Sequence, residues 1–489
     1  MKEVDYIGSK LEQFAREHPE KTAIYFKNEK LTYEMFYYNV TTLQAFLLSE
    51  VKEGKLERVA ICIGNEPLFL QAFFAVITLG AVAIPFNPNW KKPDANQIMK
   101  TTKPQMILAT KAFNRQASYS FPEQILLENV LKKEHPQHLQ HYSHEDSPFY
   151  LGFTSGSTGT PKGFIRNHKS WLASFEAGEA AFHFGKDDTF AAPGPLHHSL
   201  SLFGATHALH IGASFYLTPS FSQDEIAELI ESGTITVLYA VPTMLSSLVK
   251  REGSISEKIT FLSSGAKLEL ELKDKLQRIF PNSLLYEYYG ASELSYVTYT
   301  NCSTTERFPD SVGKPFPGVE AIILDEEENH LPDNEIGNIY IKSDFLFNGY
   351  VNDEKATNQV LTAHGATIGD IGYVNEDGYL FIVGRKDNMM IRGGHNIYPE
   401  EIEKVILESG MVEEVVVAGK KDLHWGEKVI ALLKWKEKEN TRQLRAFLRN
   451  RLARDKRPQQ YYSVKEFPYT ETGKIARKRV EKELARWVE

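Results

Sequence analysis

Cysteine is scarce in this sequence: only Cys62 and Cys302 occur among 489 residues. The two form no Cys-x-x-Cys pair and no zinc-ligand spacing, so they predict no metal site of that kind. Two buried thiols in a reducing compartment account for this usage better than a disulfide does. We therefore expect a cytoplasmic protein.

An excess of positive charge is also missing. The chain has 56 Lys and Arg against 64 Asp and Glu, a formal net charge of −8, which argues against a general nucleic-acid binder. With 42% hydrophobic and 25% charged residues, the composition is that of an ordinary globular protein. A length of 489 residues predicts two or three domains, but it does not distinguish a monomer from a homodimer.

Targeting and membrane-spanning segments are not evident either. Residues 1–5, Met-Lys-Glu-Val-Asp, lack the basic and then apolar layout of a signal peptide. Residues 67–86 are uncharged over a membrane-spanning length, but polar residues, a glycine and a proline interrupt them. We predict a buried helix to about Leu79 and a short strand at 81–84, and no integral membrane segment.

Short apolar segments that favour β-strands recur along the chain with helical stretches between them. Several are continuous apolar runs, as in strands that are buried on both faces of a sheet. This alternation predicts an α/β architecture with mainly parallel sheets, and the closer strand spacing over 319–383 predicts a β-rich subdomain. The predicted strands are residues 58–63, 81–84, 106–109, 213–217, 236–240, 259–263 and 284–286.

A change in charge marks a boundary near Gly384-Arg385-Lys386-Asp387. Residues 387–489 contain 22 basic and 17 acidic side chains, a net charge of +5, whereas residues 1–386 have a net charge of −13. Solvated helical faces, particularly in 442–457, explain most of the excess of basic residues. The alternative is that a few of these cations close over an anionic ligand. We predict an N-terminal domain, 1–386, that binds nucleotide and substrate, and a C-terminal domain, 387–489.

The most informative segment is 153–163, Phe-Thr-Ser-Gly-Ser-Thr-Gly-Thr-Pro-Lys-Gly, which follows an apolar strand. Glycines let backbone N–H groups turn inward on a phosphate, hydroxyl side chains add donors, and Lys162 adds a positive charge. It is not a Walker A loop, because Gly163 rather than Ser or Thr follows the lysine. A flexible linker is the alternative, but the loop lies between apolar segments. We predict a polyphosphate-binding loop.

A second cluster, Tyr288-Tyr289-Gly290-Ala291-Ser292-Glu293, follows the predicted strand at 284–286. An aromatic ring can stack on a base, a serine can donate to a phosphate oxygen, and Glu293 can hold Mg²⁺, a hard cation that prefers carboxylate oxygen. Tyrosine-rich strand ends more often serve packing, so this cluster indicates a nucleotide site only together with the glycine-rich loop.

Three further clusters follow toward the C-terminus. In Thr367-Ile368-Gly369-Asp370-Ile371-Gly372-Tyr373, the carboxylate of Asp370 could accept hydrogen bonds from both ribose hydroxyls. The next combines Gly384-Arg385-Lys386-Asp387 with Arg392-Gly393-Gly394-His395. The last, Thr470-Glu471-Thr472-Gly473-Lys474-Ile475, is a turn that exposes one lysine.

The five clusters, in this order and at these separations, resemble the adenylate-forming superfamily of acyl-CoA synthetases, peptide-synthetase adenylation domains and beetle luciferases. The resemblance extends from Leu31-Thr32-Tyr33-Glu34 to Lys474. It implies an α/β fold with a large N-terminal domain of αβ-layered sheets plus a β-rich subdomain, and a small mobile α+β C-terminal domain. It also implies ATP and coenzyme A as co-substrates and Mg²⁺ as the metal.

The resemblance implies a contact for each matching residue around the nucleotide, with Ser292 standing where the family usually has Thr. The implied contacts are with the β- and γ-phosphates for Thr154, Ser155, Gly156, Ser157, Thr158, Gly159 and Lys162, with adenine for Gly265, Ala266 and Tyr289, with the α-phosphate for Ser292, with Mg²⁺ for Glu293, and with the ribose for Asp370 and Arg385.

Other matching residues concern catalysis and movement. Lys474 resembles the catalytic lysine that bridges the substrate carboxylate and the α-phosphate, and Asp387 occupies the hinge position. Gly393 and Gly394 would border a pantetheine tunnel. His198 would lie beside the acyl carbonyl, where either a structural hydrogen bond or a gating role is open.

The resemblance also implies that residues 195–204 belong to the acid-binding block. It lacks the Asp with which amino-acid-activating relatives bind the α-amine, which disfavours amino-acid substrates. Its apolar residues Leu200, Leu202 and Phe203 suit a fatty or aryl acid.

These observations together predict an ATP-dependent carboxylic acid–CoA ligase. It would form an acyl-AMP and then a thioester with CoA, releasing AMP and pyrophosphate, and would act on a medium- or long-chain fatty acid. The alternatives are an aryl-CoA ligase, or an adenylating enzyme that loads a separate carrier protein. A catalytically dead AMP-binding module is the alternative of another class, and the presence of Lys474 and Glu293 argues against it.

Overall fold

The structure, a computed structural model, describes residues 5–51, 54–130, 143–154, 161–251, 253–302, 307–392, 395–422, 426–469 and 475–484. The chain divides into two compact units. We call Met1–Ala321 with Ile341–Ala366 the first unit, and Ile322–Tyr340 with Thr367–Glu489 the second unit. The second unit includes residues before 387, so it is larger than the predicted C-terminal domain 387–489. The boundary at 386/387 refers to the part that moves, and it stays a prediction.

The larger sheet of the first unit has a parallel centre and antiparallel edges. Its inner pairs, from β1 through β10, β9, β11 and β12 to β13, are parallel, while β2, β14 and β15 pair antiparallel. In spatial order the described strands are β15 (Lys314–Pro315), β14 (Ser295–Asn301), β13 (Leu284–Ala291), β12 (Thr260–Ser263), β11 (Val237–Ala240), β9 (Thr189–Ala191), β10 (Ser214–Leu217), β1 (Thr22–Phe26) and β2 (Glu29–Thr32).

A second sheet of the first unit is parallel from β7 to β6 and ends in an antiparallel edge. That edge, β7–β8–β18, carries residues on both sides of the glycine-rich loop. In spatial order the described strands are β18 (Gly349–Tyr350), β8 (Lys162–Asn167), β7 (Pro148–Thr154), β4 (Val82–Pro85), β3 (Arg58–Cys62), β5 (Met106–Ala109) and β6 (Ile125–Leu126).

The helices of the first unit pack on these sheets and bury their apolar faces. Helix α3 and strand β4 account for the uncharged run at 67–86, as predicted: every residue of α3 from Phe69 to Thr78 is buried. The described helices are α1 (Leu11–Glu17), α2 (Tyr33–Glu50), α3 (Pro67–Thr78), α4 (Lys92–Thr102), α5 (Lys111–Gln116), α6 (His168–Phe182), α7 (Ser199–His210), α8 (Gln223–Glu231), α9 (Pro242–Leu248), α10 (Leu270–Ile279) and α11 (Glu354–Val360).

The predicted β-rich region at 319–383 consists mostly of short antiparallel strands, with α11 inserted. Within the first unit, Ile341 of β17 pairs with Ala366 of β20, which pairs with β19. Within the second unit, Gly337 and Asn338 of β17 pair with β21, which pairs with β22. The strands are β16 (Glu320–Leu324), β17 (Gly337–Lys342), β19 (Leu361–Thr362), β20 (Gly365–Ala366), β21 (Asp370–Val374) and β22 (Leu380–Arg385).

The rest of the second unit is an α+β arrangement around a long antiparallel hairpin, β25–β26. Alternating residues of the hairpin, such as Val415, Val417 and Leu433, are buried in a cluster with residues of α12 and α13. The elements are β23 (Met390–Arg392), β24 (His395–Ile397), α12 (Pro399–Leu407), β25 (Val412–Asp422), β26 (Gly426–Trp435), α13 (Thr441–Arg449), β27 (Gln460–Ser463) and α14 (Arg477–Lys482).

Candidate active site

Ser292 and Glu293 lie at the tip of the β13–β14 hairpin in the first unit. The backbone N–H of Leu294 donates to the carbonyl of Ala291 across this turn at 3.1 Å, and Ser295 has a positive φ of 57°. Glu293 is only 8% exposed although it carries a carboxylate. Since a buried charge is costly without a partner, its surroundings decide whether it can remain ionised.

Tyr350 supplies a partner to this carboxylate. Its hydroxyl donates to Oε1 of Glu293 at 2.8 Å. Burial first, and then the charge and hydrogen bond of Glu293, raise the pKa of Tyr350 well above its usual value. The phenol therefore stays neutral at neutral pH and serves as a hydrogen-bond donor to the carboxylate.

Lys162 approaches the other side of Tyr350. Its ammonium nitrogen lies 5.3 Å from the centroid of the Tyr350 ring, within the range of a cation–π contact. Thr154, the last residue of β7, pairs with Lys162, the first residue of β8, across the glycine-rich loop. Tyr350 thus contacts both Lys162 and Glu293, and Thr154 is the register partner of Lys162.

Arg166 lies beneath this group and is 1% exposed. Its guanidinium donates to the carbonyl of Ser292 at 2.6 Å and to the carbonyl of Phe345. Burial lowers the pKa of Arg166 to about 9, and the nearby charge of Glu293 opposes that effect. The guanidinium therefore stays protonated near neutral pH and fastens the turn of Ser292 to the segment that leads to Tyr350.

The predicted adenine residues follow strand β12. Gly265 has a φ of +94°, a conformation that favours glycine, and both Gly265 and Ala266 are exposed. Tyr289 is half-buried on β13, the parallel neighbour of β12. Because parallel strands end at the same edge of a sheet, these three residues lie on the edge that also carries the Ser292–Glu293 turn.

His198 caps the N-terminal end of α7. Its backbone N–H donates to the carbonyl of Pro195 at 3.0 Å, and its ring lies 4.4 Å from the ring of His197. Burial, together with the charge of His198, lowers the pKa of His197 to about 3, so His197 is neutral at physiological pH. These contacts do not distinguish a structural role of His198 from a gating role, and both stay predictions.

In the second unit, Asp370 and Arg385 face each other on paired strands. They are register partners on β21 and β22, and Nε of Arg385 lies 2.9 Å from Oδ1 of Asp370. The carboxylate side chain is 5% exposed and the arginine 57% exposed. Asp387, the predicted hinge, lies in a short 3₁₀ turn, Lys386–Asn388, and its carboxylate is 3.8 Å from the ammonium of Lys478.

Several predicted site residues lie outside the described part of the chain. They are Ser155, Gly156, Ser157, Thr158, Gly159, Gly393, Gly394 and Lys474.

Sequence reasoning missed three residues around the site. For Tyr350, the sequence offered only a weak indication of a role in the site, a Gly-Tyr pair after an apolar segment. Arg166 interrupts the apolar pattern of β8, and a charge at an inward position of a buried strand was the signal that could have identified it. Glu287 is similar: it lies inside β13 and forms an ion pair with Lys273.

The carboxylate of Glu293 fits the metal that the sequence predicts. Among the residues that the structure describes, no group of three or more His, Cys, Asp or Glu side chains could hold a metal ion by itself. Mg²⁺ seldom needs such a cage, because it binds through one or two carboxylates together with substrate phosphates and water. A buried glutamate whose hydrogen-bond partner, Tyr350, also contacts a lysine suits that mode of binding.

Within the described ranges, no helix is both long enough and apolar enough to cross a membrane.

Comparison with known proteins gives family matches over most of the chain. The family of AMP-binding enzymes matches residues 11–351, and the C-terminal domain of AMP-binding enzymes matches residues 401–474.

Individual relatives match along nearly the full length. The uncharacterized acyl-CoA ligase YhfT of Bacillus subtilis (strain 168) is 35% identical over 472 residues, 96% of each chain. A long-chain-fatty-acid–CoA ligase of the same organism is 29% identical over 97% of this chain and 94% of its own. The o-succinylbenzoate coenzyme A synthetase of Bacillus subtilis, solved with AMP, is 23% identical with a TM-score of 0.86, covering 96% of this chain and 97% of its own.

These findings confirm the predicted α/β fold class, the resemblance and the enzyme class of AMP-forming acid–thiol ligases. The chain belongs to the family of AMP-binding enzymes, the adenylate-forming ligases.

Proposed function

We propose that this protein is an ATP- and Mg²⁺-dependent carboxylic acid–CoA ligase that acts on a medium- or long-chain fatty acid. The observation that supports it most is the buried Glu293 carboxylate, which accepts a hydrogen bond from Tyr350, the tyrosine whose ring contacts Lys162. Its turn lies at the sheet edge that also carries Gly265, Ala266 and Tyr289. The name of the Bacillus subtilis long-chain-fatty-acid relative supports the substrate class. Its small-molecule partners are then the acid, ATP and CoA.

The first half-reaction needs charge neutralisation more than proton transfer. A carboxylic acid has a pKa of about 4, so it is ionised at pH 7 and its oxygen can attack the α-phosphorus without a general base. Repulsion between the two anions opposes the attack. Lys162, the donors of residues 154–159 and Lys474 would offset the charge that develops in an in-line transfer. Mg²⁺, held by Glu293, would add neutralisation at the phosphates.

The remaining nucleotide contacts follow the family pattern. Gly265 and Ala266 would lie along adenine with Tyr289 stacked on it, Ser292 would donate to the α-phosphate, and Asp370 with Arg385 would hold the ribose. The exposed Gly265 and the left-handed φ at that position support a close approach by a flat ligand.

The second half-reaction is attack of the CoA thiolate on the acyl-AMP, with AMP as the leaving group. Lys474 would serve only the first step. We propose that the domain that carries it then moves away, so that the thiol can enter. We place the hinge for that movement at Asp387, within a domain 387–489, and the pantetheine tunnel beside Gly393 and Gly394. His198 would lie at the acyl carbonyl.

An aryl-CoA ligase is a second candidate, and one contact favours it. The ring of Tyr239 lies 3.2 Å from where a β-carbon would stand on Gly204 in α7, the helix of the acid-binding block. Its hydroxyl is 3.0 Å from that of Tyr296, and both rings are buried. Aromatic side chains that fill this space would suit a compact acid better than a long chain.

Pyrophosphate release, measured over a panel of carboxylic acids with ATP and Mg²⁺, tests the proposal. The panel spans saturated fatty acids of increasing length and benzoate-type acids, each with CoA or with a phosphopantetheinyl carrier protein as the thiol. Release with fatty acids and CoA is the expected result. Preference for benzoates would select the second candidate, preference for the carrier would select a loading enzyme, and no release with any acid would contradict an active ligase.

The location that we propose is the cytoplasm. Cys62 is buried and Cys302 is partly buried, and in the part of the chain that the structure describes neither forms a disulfide, as expected for a reducing compartment.

A further inference from the structure

Tyr350 reaches Glu293 from a separate strand whose position is fixed by several backbone contacts. Strand β18 pairs antiparallel with β8, so that Tyr350 stands opposite Phe164. The backbone N–H of Val351 donates to the carbonyl of Gly163 at 2.8 Å, and that of Tyr350 donates to Oγ1 of Thr357 at 2.9 Å. The phenol ring is therefore carried by the same sheet edge that carries Lys162.

The Glu293 turn is fastened to this segment as well. The N–H of Phe347 donates to the carbonyl of Glu293 at 2.9 Å, and the buried guanidinium of Arg166 donates to the carbonyls of Ser292 and Phe345. The backbones on both sides of the carboxylate–phenol hydrogen bond are thus held relative to each other. A hydrogen bond between two pre-positioned groups loses little entropy when it forms, so it can set the orientation of the carboxylate.

The contacts of Tyr350 divide between two parts of its side chain. The hydroxyl donates to Glu293, whereas the ring face lies against the ammonium of Lys162. Removing the hydroxyl alone therefore affects the carboxylate and leaves the lysine contact in place.

We propose that Tyr350 is a positioning residue of the adenylation site: its hydroxyl orients the Glu293 carboxylate for magnesium-bound ATP, and its ring orients the Lys162 ammonium. This inference rests on the proposed function, because it assigns Glu293 to Mg²⁺ and Lys162 to phosphate. It predicts that the two parts of the tyrosine side chain have separable effects on nucleotide binding.

The test is calorimetric titration of ATP into the full-length protein, with MgCl₂ or with EDTA. Tyr350→Phe keeps the ring, so its affinity for ATP in EDTA should match that of the unmodified protein. In MgCl₂ its affinity should fall about 10-fold or more, the usual size of a lost hydrogen bond to a charged group. Tyr350→Leu also removes the ring and should weaken ATP binding under both conditions.

Two controls separate positioning from packing. Tyr33→Phe removes another buried tyrosine hydroxyl, one that donates to the carbonyl of Ala213 at 2.6 Å, and it should leave both affinities unchanged. In a Glu293→Gln background, Tyr350→Phe should cause no further loss, since its effect passes through that carboxylate.

Equal weakening by Tyr350→Phe in MgCl₂ and EDTA, or no weakening in either, would overturn the inference. An additive loss in the double variant would overturn it too. Failure of the unmodified protein to bind ATP in MgCl₂ would instead contradict the proposed function, so the two failures are distinguishable.

Discussion

Lys273 and Glu287 form a buried ion pair behind the predicted adenine segment. Nζ of Lys273, on α10, lies 3.1 Å from Oε2 of Glu287 on β13, and both side chains are less than a tenth exposed. The other carboxylate oxygen accepts from the backbone N–H of Leu268 at 2.7 Å. The pair therefore connects a helix, a strand and the loop that carries Gly265 and Ala266.

Removing the cation of this pair should destabilise the protein. Lys273→Met leaves the Glu287 carboxylate buried without its ammonium partner, which typically costs about 3–5 kcal/mol. Urea unfolding should show a lower midpoint, and ATP affinity should fall as the Leu268 loop loosens. Lys275→Met, on the same helix, is the control: its ion pair with Glu271 is exposed and should matter by less than about 0.5 kcal/mol. Equal effects of the two variants would contradict this account.

Lys474 is expected to serve one half-reaction only. Lys474→Ala should slow acyl-AMP formation from acid and ATP by about 10²–10³-fold, the usual effect of losing a donor to the developing charge. Thioester formation from preformed acyl-AMP and CoA should change little. The two rates are measured separately, as pyrophosphate release and as AMP release. Loss of both rates to the same degree would refute the assigned role.

Tyr239 should limit the length of the acid. In Tyr239→Ala the ring that covers Gly204 is gone, so longer saturated acids should gain in kcat/KM relative to shorter acids. The acid panel measures that shift, with Tyr33→Phe as a control for the loss of a buried phenol hydroxyl. An unchanged preference would contradict a role of Tyr239 in the acid-binding site.

Acid should destabilise the protein through its buried histidines. Nδ1 of His168 accepts from the N–H of Ile7 at 3.1 Å, and Nε2 lies 2.7 Å from Oγ of Ser143, so the neutral ring is the form that fits. Burial lowers the pKa of His168 to about 3, from 6.5. The unfolded chain therefore binds a proton that the folded chain does not, and stability should fall as pH decreases from about 6.5 toward 3.

The expected slope is about 1.4 kcal/mol per pH unit for each such group. Chemical unfolding at several pH values measures it, and His168→Gln should flatten the slope by that amount. His18→Gln, at an exposed position, should leave it unchanged. A slope that does not respond to His168→Gln would assign the acid sensitivity to other groups.

The strands were predictable because most of them are continuous apolar runs. Residues 58–63 and 106–109 were predicted as strands, and the structure has Arg58–Cys62 and Met106–Ala109 there. Strand β13 runs on to Ala291, beyond the predicted end at 286, because β14 pairs with its polar continuation. The pattern of apolar residues does not show that an antiparallel strand will pair with such a polar segment.

The site was predictable only as far as local motifs reach. Glu293 was predicted because it follows a strand within a recognisable cluster, but the phenol of Tyr350, which contacts it, comes from another sheet. Arg166 acts on backbone carbonyls, which have no sequence signature. Contacts between distant segments depend on which strands are neighbours in a sheet. The local patterns of a single sequence do not show that order, so they do not show which side chains meet.

Tyr350 follows Glu293 by 57 residues. During biosynthesis the hydrogen bond between Tyr350 and Glu293 therefore cannot form until the Gly349–Tyr350 strand has left the ribosome and joined the edge formed by Lys162–Asn167. A ligand that binds only the finished arrangement favours it by mass action. ATP bound at the proposed site would therefore stabilise this arrangement once the Gly349–Tyr350 strand is in place.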